Sequence, residues 1–158
     1  TFGTSMIMAA YKDLTSYTIP NWISMLMIIG FLALSPFLGL SWAEFGIHIA
    51  VFLGSLFIMM VMFSLGWLGG GDAKLFAATA IWWMPPDLLN YLMYTTLAGG
   101  VLAIIILAAR KLMPLTITKT GWLHRLLRDE TKIPYGLALA FAGMITLPMS
   151  ELYLSLTI

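Results

Sequence analysis

From Phe45 to Gly71, and again from Leu88 to Ala109, the chain carries no Asp, Glu, Lys or Arg. Stretches of that length are hard to reconcile with water. A helix on a soluble domain keeps a charged stripe on its outer face, whereas a helix crossing a bilayer needs about 20 consecutive apolar residues. In hydrocarbon the backbone amides and carbonyls must pair within the segment, which makes such runs helical. The whole chain shares this character: it is 61% hydrophobic and 9% charged, against about 25% charged residues in an ordinary soluble domain.

Breaks at charged and proline-containing positions divide the 158 residues into six apolar segments, at about 1–12, 20–40, 43–66, 72–84, 88–109 and 133–156. The expected fold is all-α, a polytopic membrane helical bundle forming a single integral-membrane domain over 1–158, with the lipid bilayer as its solvent. The first segment is shorter than a full span and ends in Lys12-Asp13 rather than at a small-residue cleavage site. It reads as an incomplete first transmembrane helix, not as a signal peptide. Lys and Arg occupy only three connections: Lys12 follows the first segment, Lys74 the third, and Arg110, Lys111, Lys119, Arg125, Arg128 and Lys132 the fifth. The alternate connections hold Glu44 and Asp87 and no basic residue, and Glu151 lies towards their side. By the positive-inside rule the basic connections are cytoplasmic and both termini lie outside, as in a multi-pass protein of the cell inner membrane.

The same inventory removes several classes of function. There is no cysteine, hence no disulfide, thiolate zinc site or thiol nucleophile. A net charge of +1 gives no global basic field for nucleic acid. No HExxH, EF-hand or Walker loop occurs, so no metal or other cofactor is expected. No nucleophile elbow surrounds a serine, and His48 and His124 fall on opposite sides of the expected membrane, which argues against a serine protease.

What remains is a pair of acids. Asp13 and Asp72 both fall at the cytoplasmic edge, and a carboxylate near a bilayer core is costly enough to mark a functional site. Segment four runs only from Asp72 to Met84 before Pro85-Pro86; as a helix it is about 20 Å long, short of the roughly 30 Å hydrocarbon layer. Gly69-Gly70-Gly71 then becomes irregular backbone at membrane depth, tolerated only beside protein or a water cavity. The alternative is a plain turn with Asp72 capping the helix. Ala73, Ala77 and Ala80 recur at helical spacing and suit close packing with a neighbour. In the connection from Lys111 to Lys132, Trp122, Leu123, Leu126 and Leu127 alternate with His124, Arg125, Arg128 and Asp129 as in a short interfacial amphipathic helix. Glu44, Asp87 and Glu151 read as solvated outer charges, and His48 as a packing or interfacial residue.

The stretches Asp13-Leu14-Thr15-Ser16-Tyr17-Thr18-Ile19-Pro20-Asn21 and Leu68-Gly69-Gly70-Gly71-Asp72-Ala73-Lys74-Leu75 together resemble the type IV prepilin peptidases. Those are membrane aspartic proteases of the Gly-x-Gly-Asp type, and the likeness is nearest to the small enzymes serving Flp-type pili of tight-adherence systems. Lys132-Ile133-Pro134-Tyr135-Gly136 resembles a third element of the family, with Leu137 where many relatives have a second Pro. The resemblance implies that Asp13 and Asp72 are catalytic. It also implies that Gly69, Gly70, Gly71, Lys74, Pro134, Tyr135 and Gly136 contact substrate and that Ile19, Pro20 and Asn21 form a structural motif. The implied partner is a prepilin or pseudopilin. Larger relatives bind zinc through Cys-x-x-Cys pairs and also N-methylate the trimmed pilin; without cysteine, methyltransferase activity is not expected here.

Two carboxyl groups close together hold one proton between them. The resemblance then implies that the charged member activates water while the protonated member polarises the scissile carbonyl and serves the leaving amine. For Lys74 two roles stand side by side, assisting Asp72 or substrate and simple interfacial anchoring. Two other functions fit a membrane chain with paired acids: a proton-coupled transporter or channel component, and a non-catalytic scaffold of a pilus or secretion machine.

Overall fold

Each long apolar run becomes a helix in the computed structural model, which describes residues 1–112, 121–128 and 133–154. Helix α1 spans Phe2–Ser16, and α2 spans Asn21–Leu34 and continues into a 3-10 turn at Ser35–Phe37. Next come α3 (Trp42–Ser64), α4 (Gly70–Ala80), α5 (Pro85–Leu112) and α6 (Trp122–Arg128). Last are α7 (Tyr135–Thr146), a 3-10 turn at Leu147–Met149 and the single turn α8 (Glu151–Leu154). Among the described residues there is no strand. Lys119, Asp129 and Lys132 lie outside the described residues, as do 155–156 of the expected sixth segment.

The helix ends follow local chemistry. Ser41 and Glu44 form a capping box at the start of α3: Glu44 N–H donates to Ser41 Oγ at 3.2 Å and Ser41 N–H to Glu44 Oε2 at 2.8 Å. Pro85 and Pro86 open α5, where their missing N–H groups have no helical partner to lose. Pro148 acts in the opposite sense. Lacking an N–H inside a continuing helix, it ends α7 in the 3-10 turn, so the expected last segment is divided in two.

Among the described residues two helices, α3 and α5, are long and apolar enough to cross a membrane. In their most apolar windows only 17% and 11% of residues are buried, so Phe57, Ile58, Met60, Ile104 and Ile105 face outward. That arrangement suits lipid and would be costly in water. The inner helix is α4, with Ala73, Leu75, Phe76, Ala77, Ala78, Thr79 and Ala80 all buried. It packs on α3, α2 and α7, while α7 also packs on α5 and α1. With 11 residues, α4 is about 16 Å long, too short for a roughly 30 Å layer.

Aromatic rings close one end of the bundle. Phe2 meets Trp82 and Trp83 edge-on, each at 5.3 Å between centroids, and Trp83 meets Tyr91 at 5.6 Å. Buried His48 accounts for the C-terminus of α4, its Nδ1 standing 2.9 Å from the Ile81 carbonyl oxygen, in keeping with a packing role. Asp87 departs from its expected solvation. It is 4% exposed and accepts a hydrogen bond from Glu151 N–H at 3.1 Å, because the break at Pro148 leaves the first amide of α8 needing an acceptor.

Candidate active site

The opposite end of the bundle is built around Asp13. Helix α1 continues past Lys12 to Ser16, so Asp13 lies in its last turn instead of in the connection, and it is 5% exposed. Tyr17 then takes a left-handed conformation (φ 51°, ψ 29°), and its N–H donates to the Asp13 carbonyl at 2.8 Å. This reverses the chain. Pro20 follows in an extended conformation and α2 begins at Asn21, which leaves Ile19 pointing inward, 8% exposed.

Ile19 is the wedge between two other helix starts. A Cβ on Gly71 would lie 3.3 Å from Ile19 Cβ, and one on Gly136 would lie 2.9 Å from Ile19 Cδ1. Glycine at both positions lets α4 and α7 close on Ile19. The same approach brings α7 onto Asp13: Gly136 N–H donates to Asp13 Oδ2 at 2.7 Å, and a Cβ there would stand 2.8 Å from that oxygen. Gly136 is the second residue of α7, and its amide is one of the four that a helix start leaves unpaired. The carboxyl of Asp13 therefore sits at the positive end of a helix.

Asp72 occupies the first turn of α4, whose N-cap is Gly69 with φ −69° and ψ 141°. Gly70 and Gly71 are helical, so the irregular backbone expected at all three glycines is confined to the connection ending at Gly69. Asp72 folds back over that cap, and a Cβ on Gly69 would come within 2.9 Å of its Oδ2. Asp13, Tyr17, Thr18, Ile19, Gly69, Gly70, Gly71 and Asp72 line one cavity of about 240 Å³. It is large enough for several waters, and the two carboxyls interact electrostatically across it. Both acids thus face one space although 59 positions (72 − 13) separate them.

The other motif residues divide. Lys74 Nζ donates to Asn21 Oδ1 at 3.1 Å, tying the fifth residue of α4 to the first residue of α2. Pro134 and Gly136 are buried against the protein, whereas Tyr135 packs over Gly99 and borders a groove that also exposes Asp72. The sequence signal missed the two partner contacts, Gly136 to Asp13 and Lys74 to Asn21. Each joins residues far apart in the chain. Among the described residues no group of His, Asp and Glu is arranged to hold a metal ion.

The tie gives a measurable expectation. An exposed hydrogen bond contributes about 1 kcal/mol, so Lys74→Ala and Asn21→Ala should each lower the stability of the fold by about that amount. The double variant should be no less stable than either single one, read from denaturation in a double-mutant cycle. Full additivity would mean that the two residues act separately.

Fold and site together define a protein whose described residues are helical, with two helices long and apolar enough to span a membrane and a paired-carboxyl cavity at one end of the bundle. The type IV leader peptidase family model matches residues 1–106, a stretch containing Asp13 and Asp72, and the chain belongs to that family. Membership implies a peptidase with a prepilin-type substrate. No curated protein and no solved structure matches the chain.

Proposed function

We propose that this chain is an aspartic endopeptidase that removes the basic leader of Flp-type prepilins at the cytoplasmic face of the inner membrane, with Asp13 and Asp72 as its catalytic pair. The observation that carries the reading is the single cavity lined by both carboxyls and by the glycines before Asp72. A water held there loses a proton to the ionised carboxylate as its oxygen bonds to the scissile carbonyl carbon. The protonated carboxyl hydrogen-bonds the carbonyl oxygen. When the C–N bond breaks, the amine leaves with a proton from the pair, the new acid remains on the leader, and the pair again holds one proton.

Gly136 and Ile19 are positioning residues in this reading, since they touch Asp13 and the helix starts rather than the reacting atoms. Gly69, exposed at the start of α4, leaves backbone uncovered beside Asp72, where an extended peptide backbone fits. Orientation has support as well. Lys12 and Lys74 lie at the carboxyl end of the bundle. Tyr91 of α5 meets Trp83 at the aromatic end while Gly99 meets Tyr135, so Arg110 and Lys111 project past the carboxyl end too. Positive-inside reasoning makes that end cytoplasmic, with six crossings and outer termini. A prepilin keeps its basic leader on the same side, which brings its Gly junction to the depth of the pair.

The test is incubation of the purified chain with single-span prepilin precursors. A mass loss equal to the leader is expected, whereas proton flux in liposomes without cleavage would favour a relay.

A further inference from the structure

Asp72 belongs to two spaces at once. Besides the cavity shared with Asp13, it lines an apolar groove of about 410 Å³ between α3, α5 and α7. The groove has a direction. Leaving Asp72, its wall advances along α4 to Phe76 and along α7 from Tyr135 to Leu139, and it runs back along α3 from Met62 to Met59. Each step is one helical turn, and on α5 the groove continues from Gly100 past Thr96 to Leu92, about 12 Å in all. Neither α3 nor α5 closes it, because α3 packs on α4 and α5 packs on α7. Gly100, Thr96 and Leu92 are exposed along its mouth, and a Cβ on Gly100 would meet nothing within 4 Å.

We propose, resting on the peptidase reading, that this groove is the subsite for the apolar residues following the cleaved bond. The first two turns of the substrate's own membrane helix slide in laterally between α3 and α5, and Gly100 is a specificity-determining residue. The groove begins at a carboxyl that also faces the cavity, so its occupant must place a polar, cleavable group at one end and hydrocarbon along the rest. A peptide that turns apolar immediately after the scissile bond does both. A lipid acyl chain would press hydrocarbon on Asp72 and offer it no hydrogen-bond partner. Gly100, exposed and with nothing near the place of a Cβ, also allows a helix backbone to approach closely, as small residues do between membrane helices.

The cysteine-free sequence makes a clean test. In an Asp13→Asn background, Gly100→Cys or Thr96→Cys is combined with a single-span precursor carrying one cysteine in the first turn after its junction. The expected result is a disulfide from either position and none from Gly54→Cys, an exposed position on α3 outside the groove. In the otherwise unmodified chain, Gly100→Leu should lower kcat/KM by roughly tenfold or more, mainly through KM, as filling a pocket does. Gly54→Leu should leave kcat/KM unchanged. Equal cross-linking at Gly54 and Gly100, or cleavage unaffected by Gly100→Leu, overturns the subsite and leaves the peptidase reading intact, with lipid as the occupant. Failure of the unmodified chain to cut any precursor overturns both.

Discussion

Replacing either Asp13 or Asp72 by Asn should lower the rate of precursor cleavage by about 1,000-fold or more, the scale on which positioned acid–base groups act. Asparagine keeps the shape of each side chain and loses the titratable carboxyl group. At Asp13 the amide oxygen of Asn is still able to accept from Gly136 N–H, so the contact that docks α7 survives while the chemistry does not. Each variant is therefore expected to insert and to melt close to the parent chain. Mass spectrometry of the precursor after single-turnover incubation reads the rate. Processing within tenfold of the parent by either variant would remove that residue from the reaction. A transport relay or scaffold would leave nothing for the measurement to lose.

The second large effect is expected at Gly136. A Cβ at this position would stand 2.8 Å from Asp13 Oδ2 and 2.9 Å from both Asp13 Cβ and Ile19 Cδ1. The isoleucine methyl can rotate aside, but Asp13 Cβ is fixed to α1 and cannot. Gly136→Ala should consequently push α7 or Asp13 out of place and cut kcat by roughly tenfold or more, since a displacement of about 1 Å costs on the order of 100-fold in a preorganised site. Gly136→Val adds overpacking and should also destabilise the fold by about 1–3 kcal/mol. The pair Gly136→Ala with Ile19→Val removes one of the three close contacts and should recover part of the loss. If Gly136→Ala cleaves like the parent, the helix start does not position Asp13.

Some of this was legible from residues alone. The apolar runs and their breaks delivered the helices α2, α3 and α5 within a few residues, because a long uncharged run has few other solutions. The shortness of α4 followed from Pro85-Pro86. Ser41-x-x-Glu44 is a capping-box pattern that the sequence displays openly, although Glu44 was read only as a surface charge. The burial of Asp87 and the interruption at Pro148 were harder to foresee. In a bilayer both the lipid face and the protein core are apolar, so periodicity does not say which face is inward, and a lone acid at a helix start looks solvated until its partner is placed.

The site divides along the same line. Asp13 and Asp72 were visible as charges out of place, and their common edge followed from counting connections. Their partners were not visible. The family resemblance gives Gly136 as a substrate contact, and it does not show that the Gly136 amide serves Asp13 across 123 positions (136 − 13). For Lys74, neither assistance to Asp72 or substrate nor interfacial anchoring announces that its ammonium reaches Asn21. Tertiary approach of α7 and α2 created both contacts, and no local pattern encodes that approach.

The most direct measurement of the shared cavity again uses the absence of cysteine. Asp13→Cys and Asp72→Cys are introduced together, and the membrane-embedded protein is treated with a short bifunctional thiol reagent. Protease digestion between the two positions then reports whether the fragments remain joined. Cross-linking of this pair, with none between Asp13→Cys and Gly54→Cys, is the predicted result. Fragments that separate as freely as those of the control pair would mean that the two side chains do not face one space.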